Sequence, residues 1–130
     1  MKITAVYAGL LALLYIALSF RTILYRREHK VEIGDGGDRQ LLRRIRVHAN
    51  FAEYVPITLL LMGLAESLGL PGLGLHLIGL VLLLGRIAHA YGLSQTPHIL
   101  SLRAVGTVST QAAILAGALA CLWLGLAAMR

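Results

Sequence analysis

Arg43, Arg46, Asn50 and Glu53 follow one another at spacings of three, four and three. At about 100° per residue their side chains fall in one narrow stripe of a helix, with Tyr54 beside them. A row of guanidinium groups, one amide and one carboxylate complements a ligand that carries carboxylates and a single ammonium. The residues that follow, 55–65, are apolar apart from Thr58, so the row lies where a helix enters a membrane. A charge at the centre of such a helix costs about 2.5–3.5 kcal/mol on insertion scales and faces protein or a watery cavity. The plainer reading makes the arginines membrane-edge anchors and uses Asn50 and Glu53 to tie helices together.

Other chemistries find less support. His48, His89 and His98 lack an HxxxH or HxxE partner on a shared helix face, and His29 with Glu32 lies in a polar loop without further ligands. No metal is therefore expected. No Ser–His–Asp set is legible, and Glu53 is the lone acid in the apolar part of the row, which leaves hydrolysis by paired carboxylates unsupported. GDGGD at 34–38 is a turn cluster rather than a phosphate loop, because it lacks the GxxxxGK spacing and a preceding strand. Cys121 is the only cysteine and sits in a late apolar run, as a structural thiol would.

The elements that must position the row follow from composition. Of the 130 residues, 58% are hydrophobic and 14% charged, which marks a membrane protein rather than a soluble domain. A net charge of +6 and a pI near 10.1 invite a nucleic-acid partner, but the placement of the charge excludes one. Eight of the twelve cations (Arg21, Arg26, Arg27, Lys30, Arg39, Arg43, Arg44 and Arg46) lie in one segment between two apolar runs, the pattern of a cytoplasmic loop.

Residues 3–20 form an apolar run long enough to span a bilayer, continuing as helix to about residue 25. A cleaved signal peptide fits poorly, since the flanking charge is mostly downstream and no A-x-A site follows. A second helix is expected from 43 to about 68, kinked at Pro56, whose ring frees the carbonyl of Ala52. A third is expected from about 75 to 90 and a fourth from about 101 to 128, one domain over 1–130. Ala113 with Gly117, and Cys121 with Gly125, offer small residues four apart for close helix approach. Trp123 suits either an interfacial belt or the core. Four spans put both termini on one side and gather Arg46, Asn50, Glu53, Arg86, His89 and Arg103 at the opposite, cytoplasmic face.

RVHANFAEYVP resembles the second-helix motif R-x-x-x-N-x-x-E-x-x-P of the MAPEG superfamily, the membrane-associated proteins in eicosanoid and glutathione metabolism. GRIAHAYG and RAVGTVSTQ resemble the matching third- and fourth-helix segments of its prostaglandin E synthase branch, and the four-helix layout matches along nearly the whole chain. The resemblance implies an all-α integral membrane four-helix bundle, assembled as a homotrimer that binds glutathione between subunits at the cytoplasmic side of a bacterial inner membrane. Arg46, Asn50, Glu53 and Tyr54 match positions that line the glutathione pocket, and Arg26 and His89 match further contacts. Arg86, one turn before His89, joins the candidates through its place at the same membrane face. Arg103 matches the arginine that faces the glutathione sulfur in catalytic members, and His48 the histidine of the synthase motif. Departures are Ala104, where the synthase has serine, and Leu93, where it has a tyrosine that Tyr91 would have to replace.

Two functions follow from different classes. One is a glutathione transferase or peroxidase acting on apolar electrophiles, with glutathione as co-substrate and Arg103 stabilising its thiolate. The other is a non-catalytic binding protein for lipids or fatty acids. The presence of both Asn50 and Glu53 favours the first, because an anionic lipid gains little from a carboxylate.

Overall fold

Each apolar run becomes one long helix. In the computed structural model, which describes every residue except Thr96 and His98, α1 spans Lys2–Glu28, α2 Arg39–Ser67, α3 Gly72–Ser94 and α4 Leu100–Ala128. Each is long and apolar enough to cross a membrane, and together they form an all-α membrane four-helix bundle. His98, one of the histidines weighed above as a metal ligand, lies outside the described residues.

α2 and α3 occupy the middle and pack against every other helix, whereas α1 and α4 do not touch among the described residues. The core runs along these contacts through Leu11, Val47, Phe51, Met62 and Leu82. The outward faces stay apolar: Leu13, Val108 and Leu122 are each more than 60% exposed. Water would penalise such a surface, and lipid solvates it. Trp123 is 76% exposed, which removes it from the core and leaves the interfacial reading.

The helices run past the expected ends, and capping explains where. α2 begins at Arg39 rather than 43 because Asp38, in an extended conformation, accepts from the amides of Gln40 (2.7 Å) and Leu41 (3.2 Å). Those are two of the four amides that a helix start leaves unpaired. The glycines before it take positive φ (71° at Gly34, 58° at Gly36, 78° at Gly37), so the turn-forming role of GDGGD is met. α3 begins at Gly72, directly after Pro71, whose fixed φ suits a helix entrance. α2 continues as helix through Pro56, and two residues on, the Thr58 hydroxyl donates to the Tyr54 carbonyl at 2.8 Å.

Asp38 also joins two helices, since its other oxygen accepts from the Tyr25 hydroxyl of α1 at 2.8 Å. That bond, together with the Leu41 and Gln40 amides, holds the Asp38 carboxyl below the usual carboxylate range. A group with a depressed folded pKa contributes fully above its unfolded value of about 3.9 and loses the contribution as pH falls through the folded value. Asp38→Ala should therefore melt earlier than wild type in detergent at pH 7, with the deficit closing only below about pH 4. A deficit unchanged into acid would assign the effect to shape rather than charge.

At the opposite end of the bundle, Glu66 of α2 accepts from the amides of Ile3 (3.0 Å) and Thr4 (2.9 Å) and lies 3.8 Å from the N-terminal ammonium. A carboxylate thus caps the first turn of α1 and holds the α1–α2 hairpin at that face. The Tyr7 ring lies against Gly79 so closely that a Cβ there would enter it.

Candidate functional site

The site is built on a crossing of α3 and α4 that only glycine permits. A Cβ on Gly106 would stand 2.5 Å from the Gly85 carbonyl oxygen and 2.6 Å from the backbone nitrogen of His89; one on Gly85 would stand 2.9 Å from the Ser109 Cβ. About two turns on, Gly92 is as close to the start of α4, with the Arg103 nitrogen 2.8 Å from its would-be Cβ. The Ile99 amide donates to the Gly92 carbonyl at 2.9 Å and closes the connection. The small residues singled out in α4 serve another contact. Gly117 packs on Leu61 of α2 and the Cys121 thiol donates to the Leu61 carbonyl at 3.2 Å, whereas Gly125 meets nothing within 4 Å. Gly106→Ala should therefore destabilise the bundle by about 1–3 kcal/mol, the usual cost of overpacking. Gly125→Ala should melt like wild type. Equal melting of the two variants would contradict this account of the crossing.

Next to this notch Arg86 is only 2% exposed. Its Nη1 donates to Asn50 Oδ1 at 2.7 Å and its Nη2 to the Gly106 carbonyl at 3.2 Å, so one side chain of α3 ties α2 to α4. His89, one turn further, is buried, with Nδ1 3.4 Å from the Arg103 carbonyl and 3.3 Å from the Thr107 hydroxyl. A carbonyl accepts only, so the Arg103 contact requires the proton on Nδ1, and in the neutral ring Nε2 is then an acceptor. That Nε2, the Nε of Arg86 and the Nη1 of Arg26 are buried without a hydrogen-bond partner among the described residues. Native proteins rarely leave such groups unpaired.

The α2 row is graded by its distance from α3. Asn50 and Arg43 are half-buried, and Arg43 donates to the Gln95 carbonyl at 2.8 Å. Tyr54 is half-buried beside them. Arg46 and Glu53 are exposed and form no ion pair or hydrogen bond among the described residues. Residues one turn apart have Cβ atoms about 5–6 Å from each other, which leaves Arg46, Asn50 and Glu53 as consecutive contacts for one small ligand. Arg103, in the first turn of α4, is half-buried.

Asn50, Arg86, His89 and the Arg103 turn are thus brought together, with Arg46 and Glu53 on their open edge. Arg26 is not among them. His48 lies about 160° around α2 from Arg46 at ~100° per residue, and it faces α1, bonding Ser19 at 2.8 Å and stacking on Tyr15 at 4.6 Å. Arg26 lines a 270 Å³ cleft on that side with Ser19, Thr22, Ile45 and His48. One chain therefore carries two groups of polar side chains on opposite sides of α2. Glu66 and the Gly85–Gly106 notch had not been singled out in the sequence. The available signal was a glycine directly before an arginine inside an apolar helix, in GRIAH.

Fold and site together define a small four-span membrane protein with a cluster of polar side chains toward one end of the bundle. The chain belongs to the MAPEG family, whose sequence model matches residues 4–123. It is 39% identical over 121 residues to the inner membrane protein YecN of Escherichia coli strain K12, covering 93% of this chain and 91% of that protein. The YecN of Escherichia coli O6:H1 matches to the same extent.

Proposed function

We propose that the protein is a glutathione-dependent membrane enzyme, a transferase or peroxidase acting on apolar electrophiles. The observation that carries this reading is the exposed Arg46 and Glu53 flanking Asn50, which Arg86 ties to the cluster of His89 and the Arg103 turn. Glutathione brings two carboxylates, one ammonium and a thiol. Arg46 takes a carboxylate, Glu53 the ammonium and Asn50 a peptide or carboxylate oxygen, while Tyr54 lines the row. A thiol with a pKa near ~8.5 is only a few per cent thiolate at neutral pH, and a fixed guanidinium raises that fraction. In conjugation the thiolate sulfur forms a bond to an electrophilic carbon, and the leaving group departs with its electron pair. The electrophile arrives laterally from lipid, so holding the two reactants together supplies much of the acceleration.

The two groups of polar side chains argue for a homotrimer. Copies related by rotation would set Arg26 and His48 of one chain against the Arg46–Glu53 row of the next, a head-to-tail contact that closes into a ring. The basic first loop supports a cytoplasmic site with both termini on the opposite side, and the relatives' name points to an inner membrane.

A second reading, a non-catalytic lipid or fatty-acid binding protein, is favoured by one observation. An apolar cleft of 280 Å³ on the α1–α2 seam, lined by Leu11, Tyr15, Phe51 and Pro56 among others, lies next along the seam to the cleft where Arg26 carries its unpaired Nη1. Titration calorimetry on the purified protein separates the two. Glutathione should bind, and crosslinking in detergent should trap a trimer. A protein that binds fatty acid but no glutathione belongs to the second reading.

A further inference from the structure

Arg86 makes the Asn50 amide a one-way group. Arginine carries five donors and no acceptor, so the amide atom 2.7 Å from its Nη1 is the oxygen. Turning the amide over would set an NH₂ against a guanidinium, donor against donor. Arg86 has no freedom to yield, because it is 2% exposed and its other arm is held by the Gly106 carbonyl at the glycine-only crossing. The Nδ2 of half-buried Asn50, in the row between Arg46 and Glu53, then has no partner among the described residues and cannot turn toward Arg86.

We infer that Arg86 is the positioning residue of the site: by claiming the Asn50 oxygen it turns the NH₂ outward, and the site reads a carboxylate or carbonyl oxygen of the ligand at that point. Arg86 acts through Asn50 and touches no ligand itself. Glutathione as the ligand rests on the function proposed above; the hold of Arg86 on Asn50 does not.

The two claims are tested separately. Asn50→Asp keeps an oxygen for Arg86, so the tie becomes charge-assisted and the variant should melt no earlier than wild type. It replaces the outward donor with an acceptor, so glutathione affinity should fall tenfold or more, the scale of one hydrogen bond to a charged group. If Asn50 served only to hold Arg86, Asn50→Asp would bind like wild type, and that result would overturn the proposal. Arg86→Lys retains a donor-only partner and should stay within a few-fold of wild type, whereas Arg86→Met should lose affinity about tenfold in a folded oligomer. The ¹⁵N resonance of the Asn50 side-chain amide, assigned by its loss in Asn50→Asp, should shift in Arg86→Met far more than in Arg86→Lys. An Asn50 resonance identical in Arg86→Met and wild type overturns the positioning role whatever glutathione does. A wild type that shows the expected resonance pattern but binds no glutathione leaves the hold intact and removes the proposed function instead.

Discussion

Arg103→Ala should reduce turnover of glutathione with a halodinitrobenzene about a hundredfold, while glutathione binding changes far less. The magnitude is that of removing one preorganised group which stabilises developing charge. A guanidinium stays protonated at any working pH, so in the proposed function Arg103 would stabilise the thiolate electrostatically and transfer no proton. Its position is slightly unfavourable for the fold. It stands in the first turn of α4, where a cation meets the positive end of the helix dipole at a cost of about 0.3–1 kcal/mol. That turn is fixed from both sides, by the Arg103 amide donating to the Ile99 carbonyl at 3.1 Å and by its closeness to Gly92. The backbone is therefore rigid where the guanidinium must be aimed. A membrane-edge anchor would predict the opposite pattern, with turnover retained and insertion or stability impaired. Wild-type turnover in a folded, oligomeric Arg103→Ala protein would remove the catalytic assignment. Wild type without turnover on several electrophiles would favour the binding protein.

The length of the apolar runs reveals the four spans and helical spacing the α2 row, because both are local properties of the chain. The ends of the helices were less legible. Arg39 joins α2 through the Asp38 side chain, and the Asp38–Tyr25 bond reaches across thirteen residues of chain. Burial within the row was less legible still. Arg46 and Arg86 are the same residue type near the same membrane edge, yet one is exposed and the other sealed. What separates them is the α3–α4 crossing, made by one glycine on each helix. Fourteen glycines are spread along the chain, and nothing in their order pairs Gly85 with Gly106. The spacing rule selects Ala113, Gly117, Cys121 and Gly125 instead, and a Cβ on Gly125 would meet nothing within 4 Å among the described residues. Small residues four apart mark a helix face able to approach another; which helix arrives is a tertiary fact.

Glu53→Gln should weaken glutathione binding at least about tenfold and leave the fold unchanged. The second half follows from Glu53 being exposed and unbonded among the described residues, so its charge stabilises nothing within one chain. The first half follows from the same fact. A carboxylate at a membrane edge, one turn from an amide whose oxygen is already taken, is available to a cation from outside the chain. Removing one partner of a desolvated charge pair typically costs ~2–5 kcal/mol of binding, and ~1.4 kcal/mol is already tenfold. Glutamine keeps the length and one acceptor, so the change isolates the charge. A glutathione analogue without the α-amino group completes the comparison. It should bind the wild type weakly, and it should bind Glu53→Gln no worse than it binds the wild type, because the two changes remove the same pair. If the analogue and glutathione lose equally on Glu53→Gln, the carboxylate acts on something other than the ammonium. An unchanged dissociation constant for glutathione itself would return Glu53 to a structural role between neighbouring copies of the chain.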